Sequence, residues 1–201
     1  MNSVERASLV AMAAELGWLK ALWLGLVVKW RVARGEPFGQ LPPSGSEAEA
    51  QSRAQIAPAI VLYRQIRARL GAQRSLQVTE QVVVAGAVRF LQQSIGALGP
   101  ATLKAMEPGA REAYVKERGA RFFNATMRWD EISDQAVRFT VTACRFPVLC
   151  QAVGVPELAP VFCRGDAVFF GSVQEDVVLT RSQTIAEGAE TCPFALRVRA
   201  E

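Results

Sequence analysis

The chain has 201 residues, half of them apolar and 21% charged, which suits one globular domain with a full hydrophobic core and excludes a disordered chain. Its net charge of +4 rests on 23 basic residues, nineteen of them arginine, scattered in ones and twos; a nucleic-acid groove wants a clustered basic stripe interleaved with aromatics, so nucleic acid is set aside. Histidine is absent, which excludes a Ser-His-Asp triad, a Cys-His pair and a His-ligated metal.

Residues 9–28, LVAMAAELGWLKALWLGLVV, have membrane-spanning length and are broken only by Glu15 and Lys20. Leu9, Met12, Leu16, Leu19, Trp23, Leu26 and Trp30 follow a 3-4 spacing, predicting one helix whose continuous apolar stripe is buried against its own domain or a second subunit. Gly17, Ala21 and Gly25 form a small-residue series on the other side. Two charges near the middle disfavour a span and leave a core, dimer or membrane-surface helix. Lys29, Arg31 and Arg34 at its C-terminal end suit the helix dipole and equally an anionic leaflet, so membrane-surface contact and a homo-oligomer both stay open.

The run GEPFGQLPPSGS that follows is dense in Pro, Gly and Ser. The chain is accordingly divided into an N-terminal apolar helix (1–34), a linker or surface loop (35–57) and an α+β domain (58–201). Within that domain the periodicity predicts a helix from Pro58 to a stop at Gly71, another from about Thr79 to Leu98, and a shorter one over Gly109–Arg118.

Then the period falls to two. RFFNATMRW and AVRFTVTAC, separated by the turn residues DEISDQ, predict an antiparallel hairpin. Strict alternation on its second strand puts Val137, Phe139, Val141 and Ala143 on one face, and Arg138, Thr140, Thr142 and Cys144 on the other. A short helix after Pro147 carries Cys150 and stops at Gly154; a second, beginning around Pro156 to Pro160, carries Cys163 and Asp166 three apart on one face, with Gly165 an unfavourable helix residue between them. Strands over 177–185 and 192–200, joined at Glu187 to Glu190, make a second hairpin. The expected fold is α+β, an N-terminal helical layer covering one face of a four-stranded antiparallel sheet built from the two hairpins.

All four cysteines lie between positions 144 and 192, with 5, 12 and 28 residues between them, and no C-x-x-C knuckle. That is a poor match to a zinc ribbon or ferredoxin. Without a cleavable secretory signal, four cysteines favour reduced thiols in a cytosolic setting. Cys150 reads as a core residue. Cys163, Asp166 and Cys192 are expected to converge on one pocket with Cys144 at its rim. Those four residues are also the candidate ligands if a thiolate-ligated metal is held.

Five motifs arrive in order through this region: T-x-C (Thr142, Cys144), G-x-P-E-L (Gly154 to Leu158), C-x-x-D (Cys163, Asp166), R-x-x-T (Arg181, Thr184) and G-x-x-x-C-x-F (Gly188, Cys192, Phe194). Together they resemble the L-2-amino-thiazoline-4-carboxylic acid hydrolase family, strongly over the C-terminal third and weakly through the helical middle. The resemblance implies hydrolysis of a small carboxylated cyclic isothiourea. Water adds at the carbon between nitrogen and sulfur, and C–S cleavage follows. For that chemistry Asp166 is the candidate base, a thiol of Cys144, Cys163 or Cys192 the acid or covalent nucleophile, and Arg181 the clamp for the substrate carboxylate, with Thr184 and Thr142 beside it. A metal-bound water held by thiolates and Asp166 is an alternative to that base. A non-catalytic module sensing a ligand, metal or redox state is the competing reading.

Overall fold

The computed structural model describes residues 1–96 and 98–198. Helix α1 (Ser3–Leu16) starts on a capping box, in which the Asn2 side chain accepts from the Glu5 N–H and the Glu5 carboxylate accepts from the Asn2 N–H. At Gly17 the backbone takes φ +83°, a conformation other residues rarely adopt, and the chain reverses into α2 (Trp18–Ala33). Across the reversal Lys29 pairs with Glu5 at 3.3 Å, and Leu9 lies against Gly25. The predicted single helix over 9–28 is therefore a helical hairpin.

The correction extends to which side of α2 is buried. Ala21, Leu24 and Val28 are in the core, whereas Leu19, Trp23, Leu26 and Trp30 of the predicted stripe face solvent, Leu19 at 87% exposure. Helices approach closely where side chains are small, so the face bearing Ala21 and Gly25 takes the protein contact. Among the described residues no helix is long and apolar enough to cross a membrane.

Helix α3 (Glu47–Ile95) begins where Ser46 Oγ accepts from the Glu49 N–H. Residues 47–57, read as the end of a linker, are thus helical, and Ile56 and Ala57 are core residues with the loop residue Phe38 in the same cluster. Pro58 lies inside the helix on its exposed side, not in its first turn. Gly71 (φ +74°) interrupts α3, but helix resumes at once and runs to Ile95; Ala97, within the predicted Thr79–Leu98 helix, is outside the described residues. Val61, Leu62 and Ile66 before the interruption share one core cluster with Val78 and Val82 after it, and with Met12, Ala21, Leu24 and Val28 of the hairpin. The first 34 residues are therefore built into the main body. Each large side chain so buried contributes about 1.5 to 3 kcal/mol.

After α4 (Pro100–Lys104) and α5 (Pro108–Gly119) come β1 (Ala125–Ile132) and β2 (Ala136–Cys144), then α6 (Arg145–Ala152), a 3-10 turn at Pro156–Leu158, α7 (Ala159–Val168), β3 (Val177–Thr180) and β4 (Cys192–Val198). The four strands form one antiparallel sheet in the order β1-β2-β4-β3. Leu91 and Ile95 of α3 share a core cluster with Val137, Val177 and Leu196 of the sheet, so the architecture is α+β with helices layered on a four-stranded sheet. The strand expected over 177–185 ends at Thr180, because Arg181 reaches back to α7 and Thr184 caps a 3-10 turn at Ile185–Glu187. The last two residues of the final predicted strand, Arg199 and Ala200, lie outside the described residues.

Candidate active site

Between the sheet and helices α3, α5 and α7 lies a cavity of about 170 Å³. That is below the roughly 300 Å³ at which drug-sized ligands are accommodated, so the space suits a small molecule. Alternation supplies its floor: Ala125, Met127 and Trp129 from β1, Val137, Phe139 and Val141 from β2, and Cys192, Phe194 and Leu196 from β4. Trp129 stands opposite Phe139, and Phe139 opposite Phe194, in the strand register. Their rings make a ladder with centroids 5.4 and 4.7 Å apart. The Arg181 guanidinium continues it, 5.1 Å from the Phe194 centroid.

Arg181 is the organising cation. Its Nη1 donates to Asp166 Oδ2 at 2.9 Å and its Nη2 to the Cys163 carbonyl at 2.9 Å. This pair ties the loop after β3 to α7. Asp166 is held beside a full positive charge, yet its pKa is raised to about 6, because burial against the apolar wall outweighs the Arg181 charge and hydrogen bond that lower it. The group can therefore take and release a proton near neutrality.

Cys144, Cys163 and Cys192 line the same cavity as Asp166 and Arg181. Burial pushes the Cys163 thiol up to about 12, with the Asp166 charge adding to it. Burial likewise raises Cys144, which accepts from Asn124 Nδ2 at 3.7 Å, and Cys192, whose Sγ accepts from the Ile185 N–H at 3.1 Å. These are neutral thiols at pH 7. All four cysteines are free, and Cys150 is a fully buried core residue.

Cys144 reaches the cavity against the strict alternation that put it on the polar face. Thr126 pairs with Ala143 but Met127 pairs with Val141, so Thr142 is an extra, bulged residue. One inserted residue reverses the parity beyond it and turns Cys144 to the side of Val141 and Phe139. Thr142 itself is exposed, donates to the Thr126 carbonyl and does not line the cavity. Nor does Thr184, which is buried and engaged with Glu187, its Oγ1 donating to the carboxylate at 2.7 Å.

The thiols do not close into a ligand set: among the described residues no three His, Cys, Asp or Glu side chains are placed to hold a metal ion, so the candidate ligands Cys144, Cys163, Asp166 and Cys192 share a wall without forming a cage. Besides Gln55 of α3, two polar residues that no motif marks line the cavity. Arg118, from α5, donates to the Ile95 and Tyr114 carbonyls with its guanidinium stacked 3.3 Å from the Tyr114 centroid. Asn124, just before β1, reaches Cys144. Both sit at element ends, where periodicity carries no signal.

No curated protein and no solved structure matches the chain. Residues 49–196 match the family described as L-2-amino-thiazoline-4-carboxylic acid hydrolase, a span that takes in all but the first two residues of α3, the whole cavity floor and the Cys163, Asp166, Arg181 and Cys192 cluster. The chain belongs to the L-2-amino-thiazoline-4-carboxylic acid hydrolase family.

Proposed function

We propose that the protein is a hydrolase that opens a small, carboxylated thiazoline-type ring by adding water at the carbon between nitrogen and sulfur. The observation that carries this reading is Asp166, a carboxylate with pKa about 6 facing a small apolar cavity beside three neutral thiols and Arg181. Asp166 in its ionised form takes a proton from water as the oxygen bonds to the ring carbon. The C–S bond then breaks as the added oxygen becomes the carbonyl, its remaining proton passing to the ring nitrogen, and the sulfur leaves with the proton returned from Asp166 or relayed through a cavity thiol. One water is consumed, and a 2-aminothiazoline-4-carboxylate gives an N-carbamoyl cysteine.

The roles of the other residues follow from charge and protonation. Arg181 has five N–H donors, of which two hold Asp166 and the Cys163 carbonyl, leaving the others for the substrate carboxylate. A thiol that stays protonated at pH 7 is a proton donor rather than a ready nucleophile, so Cys163, Cys192 and Cys144 are assigned to donation and to shaping the pocket. Thr142 and Thr184 act indirectly, one in the bulge that aims Cys144 and the other in the turn whose Ile185 N–H holds Cys192.

The test is ring opening of 2-aminothiazoline-4-carboxylate by the full chain, followed as release of new thiol, with Asp166→Asn and Cys163→Ser alongside. Wild type is expected to turn over, and Asp166→Asn to lose roughly 10² to 10⁴ of the rate while keeping its melting temperature. A folded wild type that binds the compound without opening it assigns the cavity to a non-catalytic binding module.

A further inference from the structure

Helix α2 buries one side and leaves the other bare. Trp18, Leu19, Leu22, Trp23, Leu26 and Trp30 are each about half exposed or more, and together they form one outward apolar row along a 16-residue helix. The helix contains no acidic residue. Its basic neighbours frame the row: Lys20 on α2 itself, Arg34 stacked 3.9 Å over the Trp30 ring, and Arg69 of α3 at 6.0 Å from the Trp23 ring. Among the described residues these three cations have no ion-pair partner, while Glu5, Glu15 and Glu36, the acids of the first 36 residues, are paired with Lys29, Arg74 and Arg31.

We propose that this face docks the protein on an anionic lipid surface, with α2 lying flat. Charge complementarity selects that occupant: three unpaired cations border tryptophans, whose amphipathic rings settle at headgroup depth. Spanning is excluded because the opposite face, with Ala21, Leu24 and Val28, is committed to the core. Pairing two copies through this face sets basic residues against basic residues with no acid on the helix to offset them.

The test is co-sedimentation of the full chain with vesicles of phosphatidylcholine containing about a third phosphatidylglycerol, against phosphatidylcholine alone. Preference for the anionic vesicles by about tenfold or more is expected, falling with added salt, with tryptophan emission shifting to the blue. The variant Leu19→Ser/Trp23→Ser/Leu26→Ser changes only exposed side chains; it is expected to keep its melting temperature and lose about tenfold or more of the binding. Lys20→Glu/Arg34→Glu is expected to weaken binding to the anionic vesicles alone. A wild type that stays in the supernatant with both vesicles overturns the proposal. If that unbound chain sediments as a dimer which the triple variant dissolves, the face belongs to a second copy.

Discussion

Asp166 and Arg181 were legible as residue types from the motif order, but their relation was not, because a contact fifteen residues apart depends on where the chain turns after β3. Burial of the Asp166 carboxyl, which outweighs that contact, sets a pH dependence. The folded pKa of about 6 lies above the ordinary value of 3.8, so the fold favours the protonated carboxylate. The stability this contributes is fully present below about pH 4 and is lost as pH rises through about 6, a decline on the order of 2 to 3 kcal/mol. Urea midpoints measured from pH 4 to 7.5 are expected to show this decline in wild type and not in Asp166→Asn; parallel profiles contradict the assignment. The thiols give a second check. With Cys163 raised to about 12, alkylation by iodoacetamide at pH 7 is expected to be slower than for an unperturbed cysteine by about a hundredfold or more, with all four sites reacting in urea. Rapid labelling of Cys163 in the native protein contradicts a neutral thiol.

Periodicity located most of the helices and the first hairpin, and it failed where two answers had the same period. Along α2 both sides are apolar, so spacing could not choose between the Leu19–Trp30 row and the Ala21–Val28 row, and Gly17 breaks the helix without disturbing the 3-4 pattern on either side. The bulge at Thr142 is equally invisible, since one extra residue leaves the alternation on each side intact while reversing its sense. Gly165 was read as a weakness in α7, and the packing gives the reason for it. A Cβ there would lie 2.5 Å from the Cβ of Ala87, so the missing side chain is what lets α7 settle on α3 and bring Cys163 and Asp166 to the cavity. Gly165→Ala is expected to lower stability by about 1 to 3 kcal/mol in chemical denaturation despite its better helix propensity. A variant as stable as wild type shows that the two helices separate freely.

On the scale of the molecule, the α+β class followed from helical periods giving way to strand periods, but the joining of the hairpins did not. The β2–β4 pairing connects residues more than fifty apart, and only the shared apolar faces over the helices specify it. Spacing likewise left open whether residues 1–34 pack on their own domain or on a second subunit. Because Met12, Ala13, Ala21, Leu24 and Val28 complete the cluster with α3, removing residues 1–34 is expected to abolish a single cooperative unfolding transition; an unchanged transition in the truncated chain contradicts that integration. All of this structure encloses one polar cluster in an apolar cavity, and the claim that the cluster is catalytic is tested most directly by the pH–rate profile of 2-aminothiazoline-4-carboxylate opening. The expected kcat/KM rises with pH through an apparent pKa of about 6, a limb that Arg181→Gln moves to higher pH and Asp166→Asn removes together with most of the rate. A profile flat from pH 5 to 8, or one that keeps its limb in Asp166→Asn, contradicts it.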